Sequence, residues 1–256
     1  MFRSAIVRPP SANFSEGLTR EDLGPPDFGL ALAQHEQYCI ALERCGLQLT
    51  RLPADARHPD ATFVEDTAVL LPRCRVITRP GADSRLGETD AIRECLSAHD
   101  VPLAAITSPG TVDGGDICEA GEHVFIGLSA RTNAEGAAQL GALLQAAGYT
   151  SSVVDIRAVD GILHLKSGLS WLGERRLLLI DALAGDPAFA GYEPVLVESD
   201  EAYAANAILV NDVVFVASGY RRTAARLREL GHALVELDMS EFRKMDGGLS
   251  CLSLRY

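Results

Sequence analysis

One cysteine, one histidine and a scatter of carboxylates are the side chains of this sequence that could act together on an electrophile. Cys251 lies near the C-terminus in Asp246-Gly247-Gly248-Leu249-Ser250-Cys251. A glycine pair lets the backbone turn tightly or lie against a ligand. The alternation that follows, from Leu249 to Leu254, predicts a short strand. A free cysteine is more often a small buried hydrophobe than a nucleophile, so a reactive thiol needs a base and a group that binds the electrophile. His164 stands in Ile162-Leu163-His164-Leu165-Lys166-Ser167-Gly168, read as an apolar strand end running into a glycine turn. A lone histidine among leucines is usually a satisfied core side chain, yet an imidazole there suits proton transfer near neutrality.

The groups that could hold the electrophile are acidic. Phe63-Val64-Glu65-Asp66, with Asp60 just upstream, places carboxylates beside apolar residues. A solvated loop end is the commoner reading. A planar cation is the sharper one, because a carboxylate accepts two parallel hydrogen bonds from a guanidinium. Asp113-Gly114-Gly115-Asp116 reads in part as an Asp-Gly turn, and its second carboxylate after a glycine pair suggests close backbone approach to a bound group. Arg85 and Arg131 each stand at or just before a helix start. Exposed arginines are usually solvated, but two at equivalent points of successive repeats could converge on a carboxylate.

The elements that must position these residues recur. Residues 3–7 read as a buried strand, a polar loop runs to about residue 27, residues 29–45 form a helix ending at Gly46, and 47–52 alternate as a strand. Residues 67–71 and 74–78 flank Pro72-Arg73 as a hairpin, and similar pairs flank Gly121-Glu122, Gly173-Glu174 and Asn211-Asp212. Helical stretches near 87–98, 131–147 and 221–230 lead to strands at 103–106, 153–156 and 233–237. The period, about 40–50 residues, is a supersecondary repeat. Four internal units are visible, and pairing of the N- and C-terminal strands would close a fifth. Such a repeat predicts a closed α/β ring with its loops meeting at one end of a channel, in one domain over 1–256. A doubly wound sheet would want helices without the interposed hairpins.

Composition narrows the function. With 47% apolar residues the 256-residue chain can build a sizeable core, and a net charge of −12 argues against a nucleic-acid surface. No run approaches the roughly 18 apolar residues of a membrane helix. The six cysteines form no Cys-x-x-Cys and no disulfide framework, which fits reduced thiols in a cytoplasm. Phosphate-loop, dinucleotide, zinc-protease and serine-hydrolase signatures are missing, so no cofactor or metal is expected. Dimers are common among cytosolic enzymes, but the sequence leaves the oligomeric state open.

Taken in order, Phe63-Val64-Glu65-Asp66, Ile77-Thr78-Arg79-Pro80-Gly81-Ala82, Asp113-Gly114-Gly115-Asp116, Gly127-Leu128-Ser129-Ala130-Arg131-Thr132-Asn133, His164-Leu165-Lys166-Ser167-Gly168 and Asp246-Gly247-Gly248-Leu249-Ser250-Cys251 resemble the guanidino-group-modifying superfamily, most closely the dimethylargininases. The resemblance spans the whole chain. It implies a five-bladed α/β propeller and cofactor-independent hydrolysis of Nω-methylated arginine to citrulline and a methylamine. It implies Cys251 as nucleophile, His164 as acid and base, and Asp113 with Asp66 on the guanidinium nitrogens. Arg85 and Arg131 would bind the α-carboxylate, and Asp60 with the backbone near Leu18 the α-amino group. Leu18 would belong to a lid loop, and Glu65 would line the same pocket.

Arginine deiminase is the nearest rival. Those enzymes carry an aspartate two residues after the histidine, where this chain has Lys166. Losing that carboxylate would leave space and lower polarity for N-methyl groups, which cannot donate hydrogen bonds. Amidinotransferases need room for a second amine. A non-catalytic ribosome-binding relative of the same fold would not need the Cys251, His164 and Asp113 set.

Overall fold

The computed structural model describes residues 1–97 and 102–256. The chain enters through β1 (Ser4–Val7), crosses over in α1 (Phe28–Arg44) and returns in β2 (Gln48–Arg51), parallel to β1. Asp27 caps α1 by accepting from the Leu30 amide, and Gly46, at φ +87°, ends it. The next unit pairs β3 (Ala68–Leu71) with β4 (Cys74–Ile77) as an antiparallel hairpin. A helix, α2 (Thr89–Ser97), then leads to β5 (Leu103–Ala105), parallel to β4. Residue 98 of the expected helix lies outside the described residues.

The plan repeats. β6 (Ile117–Ala120), β7 (His123–Leu128), α3 (Ala134–Ala146) and β8 (Thr150–Asp155) make the second unit. The third has β9 (Leu169–Trp171), β10 (Arg176–Ile180) and β11 (Glu193–Val197). The fourth has β12 (Ile208–Val210), β13 (Val213–Ala217), α4 (Arg221–Glu229) and β14 (Ala233–Leu237). Finally β15 (Leu254–Arg255) pairs antiparallel with β1, so the first and last strands complete a fifth three-stranded sheet. This is the closed α/β ring the repeat predicts and the five-bladed α/β propeller the resemblance implies. The first strands of neighbouring sheets approach one another, β15 to β3, β6 to β9 and β9 to β12, and so surround the axis. Middle strands such as β10 and β13 read as continuous apolar runs because both of their faces are covered.

Two local expectations fail for physical reasons, and one unit departs from the common plan. The alternation from Leu249 onward does not make a strand: Ser250–Leu252 is a 3₁₀ turn, because the Ser250 amide bonds to the Asn206 side chain and that of Cys251 to the Gly248 carbonyl. His164 does not end a strand; it caps a 3₁₀ turn, Leu165–Ser167. In the third unit, two 3₁₀ turns, Asp181–Leu183 and Pro187–Phe189, replace the crossover helix, with Gly185 and Pro187 interrupting any longer one. The strand that follows carries Pro194, which an edge position tolerates.

One feature of the repeat matters most for chemistry. A 3₁₀ turn precedes the first strand of every sheet: Val64–Thr67, Gly114–Asp116, Leu165–Ser167, Ser199–Ala205 and Ser250–Leu252. Turns of neighbouring units touch one another, so they form a collar around one level of the channel.

Candidate active site

Four of these turns carry the side chains singled out above. Asp66 lies within the first turn, Asp113 and His164 are the residues that open the second and third, and Cys251 lies within the fifth. The turns can close this tightly because of small residues between them. A Cβ on Gly115 would stand 2.7 Å from His164 Nδ1 and 3.0 Å from Asp66 Oδ1. Gly115 thus makes room for the protein's own imidazole, and Gly114 for the Glu65 carbonyl. Gly115→Ala is expected to displace His164, lowering kcat by about 100-fold and stability by about 1–3 kcal/mol. Turnover and a thermal melt check it.

His164 Nε2 lies 3.1 Å from Asp113 Oδ2, and both residues are buried. Asp113 is itself held, its Oδ1 accepting from the Gly81 amide at 2.7 Å. Asp66 accepts from Arg85 Nη1 at 2.6 Å and from the Gly115 amide at 2.8 Å. Burial alone would protonate Asp66, but the Arg85 guanidinium, His164 and these bonds hold it down to about 2, so it is ionised. Burial also opposes a charge on His164. The carboxylates of Asp66, Asp116 and Asp113 override it and lift the imidazole to about 9, well above the neutral range its sequence setting suggests. Cys251 goes the other way for a thiol that must ionise: burial first, then Glu65 and Asp66, push it up to about 12. The Gly248 amide, 3.4 Å from Sγ, pulls in the opposite direction. Unliganded, the site therefore pairs a neutral thiol with an imidazolium. Asp66, Asp113 and His164 bring one oxygen or nitrogen each to within 4.8 Å of one another, a spacing that would suit a metal ion or a flat organic cation.

A small cavity of about 20 Å³ touches Cys251, His164, Asp66, Asp60, Arg85, Arg131 and Leu18. Its apolar wall is Phe63, Leu163 and Met245. The two arginines thus meet at one site, as their equivalent places in the repeat suggest. Arg85 is almost fully spoken for: Glu88 takes Nε and Nη2, the Phe63 carbonyl takes Nη2 as well, and Asp66 takes one N–H of Nη1. That leaves one Nη1 donor. Arg131 Nη1 is buried without a hydrogen-bond partner among the described residues, 3.8 Å from Asp113 Oδ2. Asp60 accepts the Leu18 amide on both oxygens, at 3.0 and 3.2 Å.

Glu65 and Lys166 are placed differently from expectation. Neither lines this cavity. They form an ion pair, Lys166 Nζ to Glu65 Oε1 at 2.7 Å, beneath Cys251 and beside a separate cavity of about 340 Å³ further along the channel. The sequence did not single out Glu88, Asn206 or Ser250, all buried and all bonded to the site residues or their turns; it pointed to Asp116 beside a bound group, whereas Asp116 accepts from the Ser129 hydroxyl and the Leu165 amide. A polar residue inside an otherwise apolar repeat was the only signal available.

A five-bladed α/β propeller that gathers a thiol, an imidazole and buried carboxylates on adjoining turns has the makeup of the guanidino-group-modifying enzymes. The chain is 45% identical to the N(G),N(G)-dimethylarginine dimethylaminohydrolase of Pseudomonas aeruginosa over the full length of both, and 35% identical to that of Streptomyces coelicolor over 99% of this chain and 96% of the relative. It belongs to the dimethylarginine dimethylaminohydrolase family, and is a hydrolase of that class. The solved structure of the Pseudomonas aeruginosa enzyme as a cysteine-to-serine variant complexed with citrulline superposes with a TM-score of 0.96 at 44% identity, covering all of both chains. The N-terminal domain of ArgZ, a cyanobacterial arginine dihydrolase, shares the fold, with a TM-score of 0.86 at 18% identity over 100% of this chain and 97% of that one. No family model matches the chain.

Proposed function

We propose that this protein hydrolyses Nω-methylated L-arginine, asymmetric dimethylarginine and monomethylarginine, to L-citrulline and dimethylamine or methylamine. The observation that carries the reading is the cavity itself: a thiol and an imidazole beside ionised Asp66, closed by Phe63, Leu163 and Met245. Asp66 and Asp113 would take the guanidinium N–H groups, and the apolar wall would face methyl groups that have no hydrogen bond to give. Lys166, drawn away to Glu65, adds no polar group to that wall. The spare Nη1 donor of Arg85 and the unpartnered Nη1 of Arg131 would hold the α-carboxylate, with Asp60 and the Leu18 backbone on the α-amino group.

A space of about 20 Å³ has room for about one water molecule, so the substrate enters only when the N-terminal loop parts. That loop is fastened by the Leu18 amide on Asp60, the Thr19 hydroxyl on the Lys244 carbonyl and the Arg20 amide on Asp246. The Thr19 and Arg20 bonds are exposed and exchange readily with water.

The charges then set the order of events. The substrate brings a positive charge next to a thiol that two carboxylates hold protonated, and so favours the thiolate. The thiol's proton passes to solvent as the substrate binds, and Cys251 Sγ attacks the guanidinium carbon. His164, already an imidazolium, gives its proton to the departing dimethylamine as the C–N bond breaks. The covalent thiouronium is attacked by water, His164 takes up the water's proton, and the C–S bond breaks to release citrulline. Incubation with asymmetric dimethylarginine, arginine and agmatine separately, followed by identification of the amine, tests the reading. Dimethylamine is expected from the first. Ammonia from arginine would make it a deiminase instead.

A further inference from the structure

Each sheet of the propeller is preceded by a 3₁₀ turn, and four of the five turns supply a residue of the reacting set. The fourth, Ser199–Ala205, supplies none. Its closing residue, Asn206, is buried, at 6% exposure, and points into the collar. Asn206 Nδ2 donates to the Lys166 carbonyl at 2.8 Å and to Ser250 Oγ at 3.0 Å, while Oδ1 accepts from the Ser250 amide at 3.0 Å. Both N–H groups and the oxygen are used, so the orientation of the amide is fixed: turned over, it would set oxygen against two oxygens. Ser250 Oγ in turn donates to Glu65 Oε2 at 2.7 Å, and Glu65 Oε1 accepts from Lys166 Nζ at 2.7 Å. The path runs from Asn206 through Ser250, Glu65 and Lys166 back to Asn206, one residue from each of four units, and it closes.

We infer that Asn206 is a positioning residue for the Cys251 nucleophile, acting through this closed hydrogen-bonded ring. Ser250 is the immediate neighbour of Cys251, so a bond to each of its backbone amide and hydroxyl fixes the turn that aims Sγ. The Lys166 bond ties the same amide to the turn that His164 opens. One side chain thus references the nucleophile and the acid/base to each other. Gly248 fits the same purpose, since a Cβ there would stand 2.5 Å from Asn206 Oδ1, and its amide is the donor facing Sγ. Cys251, His164 and Asp66 border the small cavity, whereas Glu65, Lys166 and Ser250 border the larger, separate one. A fully satisfied buried network of this kind specifies one arrangement.

The inference rests on the proposed reaction for its kinetic test, but it has a second readout that does not. Asn206→Asp keeps the shape and the Oδ1 acceptor while exchanging both N–H donors for a negative charge. In the full chain the expected result is a fall in kcat of about 30-fold with KM changed by less than about 3-fold, the pattern of misplaced groups and not of lost binding. Alkylation of Cys251 by iodoacetamide at about pH 9, followed by mass spectrometry, is expected to slow by about 10-fold, because the thiolate loses support and gains a like charge. The alkylation rate uses no substrate, so it still decides the matter if no methylarginine is turned over. Ser250→Ala cuts the ring with the loss of a single oxygen and is the second variant should Asn206→Asp not fold, with the same signs expected. A folded variant with parent-like kcat and alkylation, or a loss confined to KM, would overturn the inference.

Discussion

Cys251→Ser lowers citrulline formation by at least about 10⁴-fold, a loss of about 5.5 kcal/mol of transition-state stabilisation. The size follows from the surroundings of the sulfur. Even a thiol is pushed up to about 12 here by burial and by Glu65 and Asp66. A serine hydroxyl, far less acidic to begin with, would meet the same two carboxylates and the same lack of solvent. The bound guanidinium lowers that barrier for sulfur by one neighbouring charge, which is not enough for oxygen. Substrate binding should survive, because Asp66, Asp113, Arg85, Arg131 and Asp60 are untouched, so a Kd measured by calorimetry stays within about 3-fold of the parent's KM. Acid quenching of the parent during turnover should trap a covalent adduct at Cys251, visible by mass spectrometry and absent from the variant. Citrulline produced by Cys251→Ser at a substantial rate would remove the covalent route.

How much of this was legible in the sequence depends on what kind of interaction carried each feature. The hairpins were, because Gly121, Gly173 and Asn211 sit at positive φ at their tips and short apolar strands flank them. Helices α1, α3 and α4 were, to within a few residues, α1 with its stop at Gly46. The collar of 3₁₀ turns was not. Three-residue turns leave no hydrophobic period, and at Leu249–Leu254 a chance alternation imitated a strand. Residue types and order pointed to Cys251, His164, Asp66 and Asp113, and the structure places them on adjoining turns. Glu65 is the instructive miss. Its neighbour Asp66 turns towards Arg85 and the cavity, whereas Glu65 turns to Lys166 and Ser250, a choice made by partners about 100 and 185 residues away along the chain. Asn206 escaped notice for the same reason, since a buried amide bonded to distant turns has the same local sequence as a solvated one.

The same long-range convergence sets the second large effect, at His164. Asp66, Asp113 and Asp116 come from two separate turns, and together they lift the imidazole from 6.5 to about 9 against the cost of burying its charge. His164→Gln removes both the proton donor for the amine and the later base, and kcat is expected to fall by about 10³-fold. The pH profile separates this role from a merely structural one. The competent form pairs a thiolate, from a thiol at about 12, with an imidazolium that is lost above about 9. It is a minority form of the free enzyme, so kcat/KM of the parent should climb through neutrality and peak on the alkaline side. In the substrate complex the guanidinium lowers the thiol, and the kcat profile should lie to the acid side of the kcat/KM profile. The rise in kcat/KM should flatten at about 9, where His164 loses its proton, and that bend should vanish from the residual activity of His164→Gln. A parent optimum near pH 6 would contradict the assignment. Stability follows the same protonation. The folded imidazole binds its proton more tightly than the unfolded one, so its contribution is fully present below about 6.5 and is lost as pH rises through about 9. The melting temperature of the parent should therefore exceed that of His164→Gln most at about pH 6, where the variant leaves Asp66 and Asp113 without their imidazolium, and the gap should close towards about pH 10.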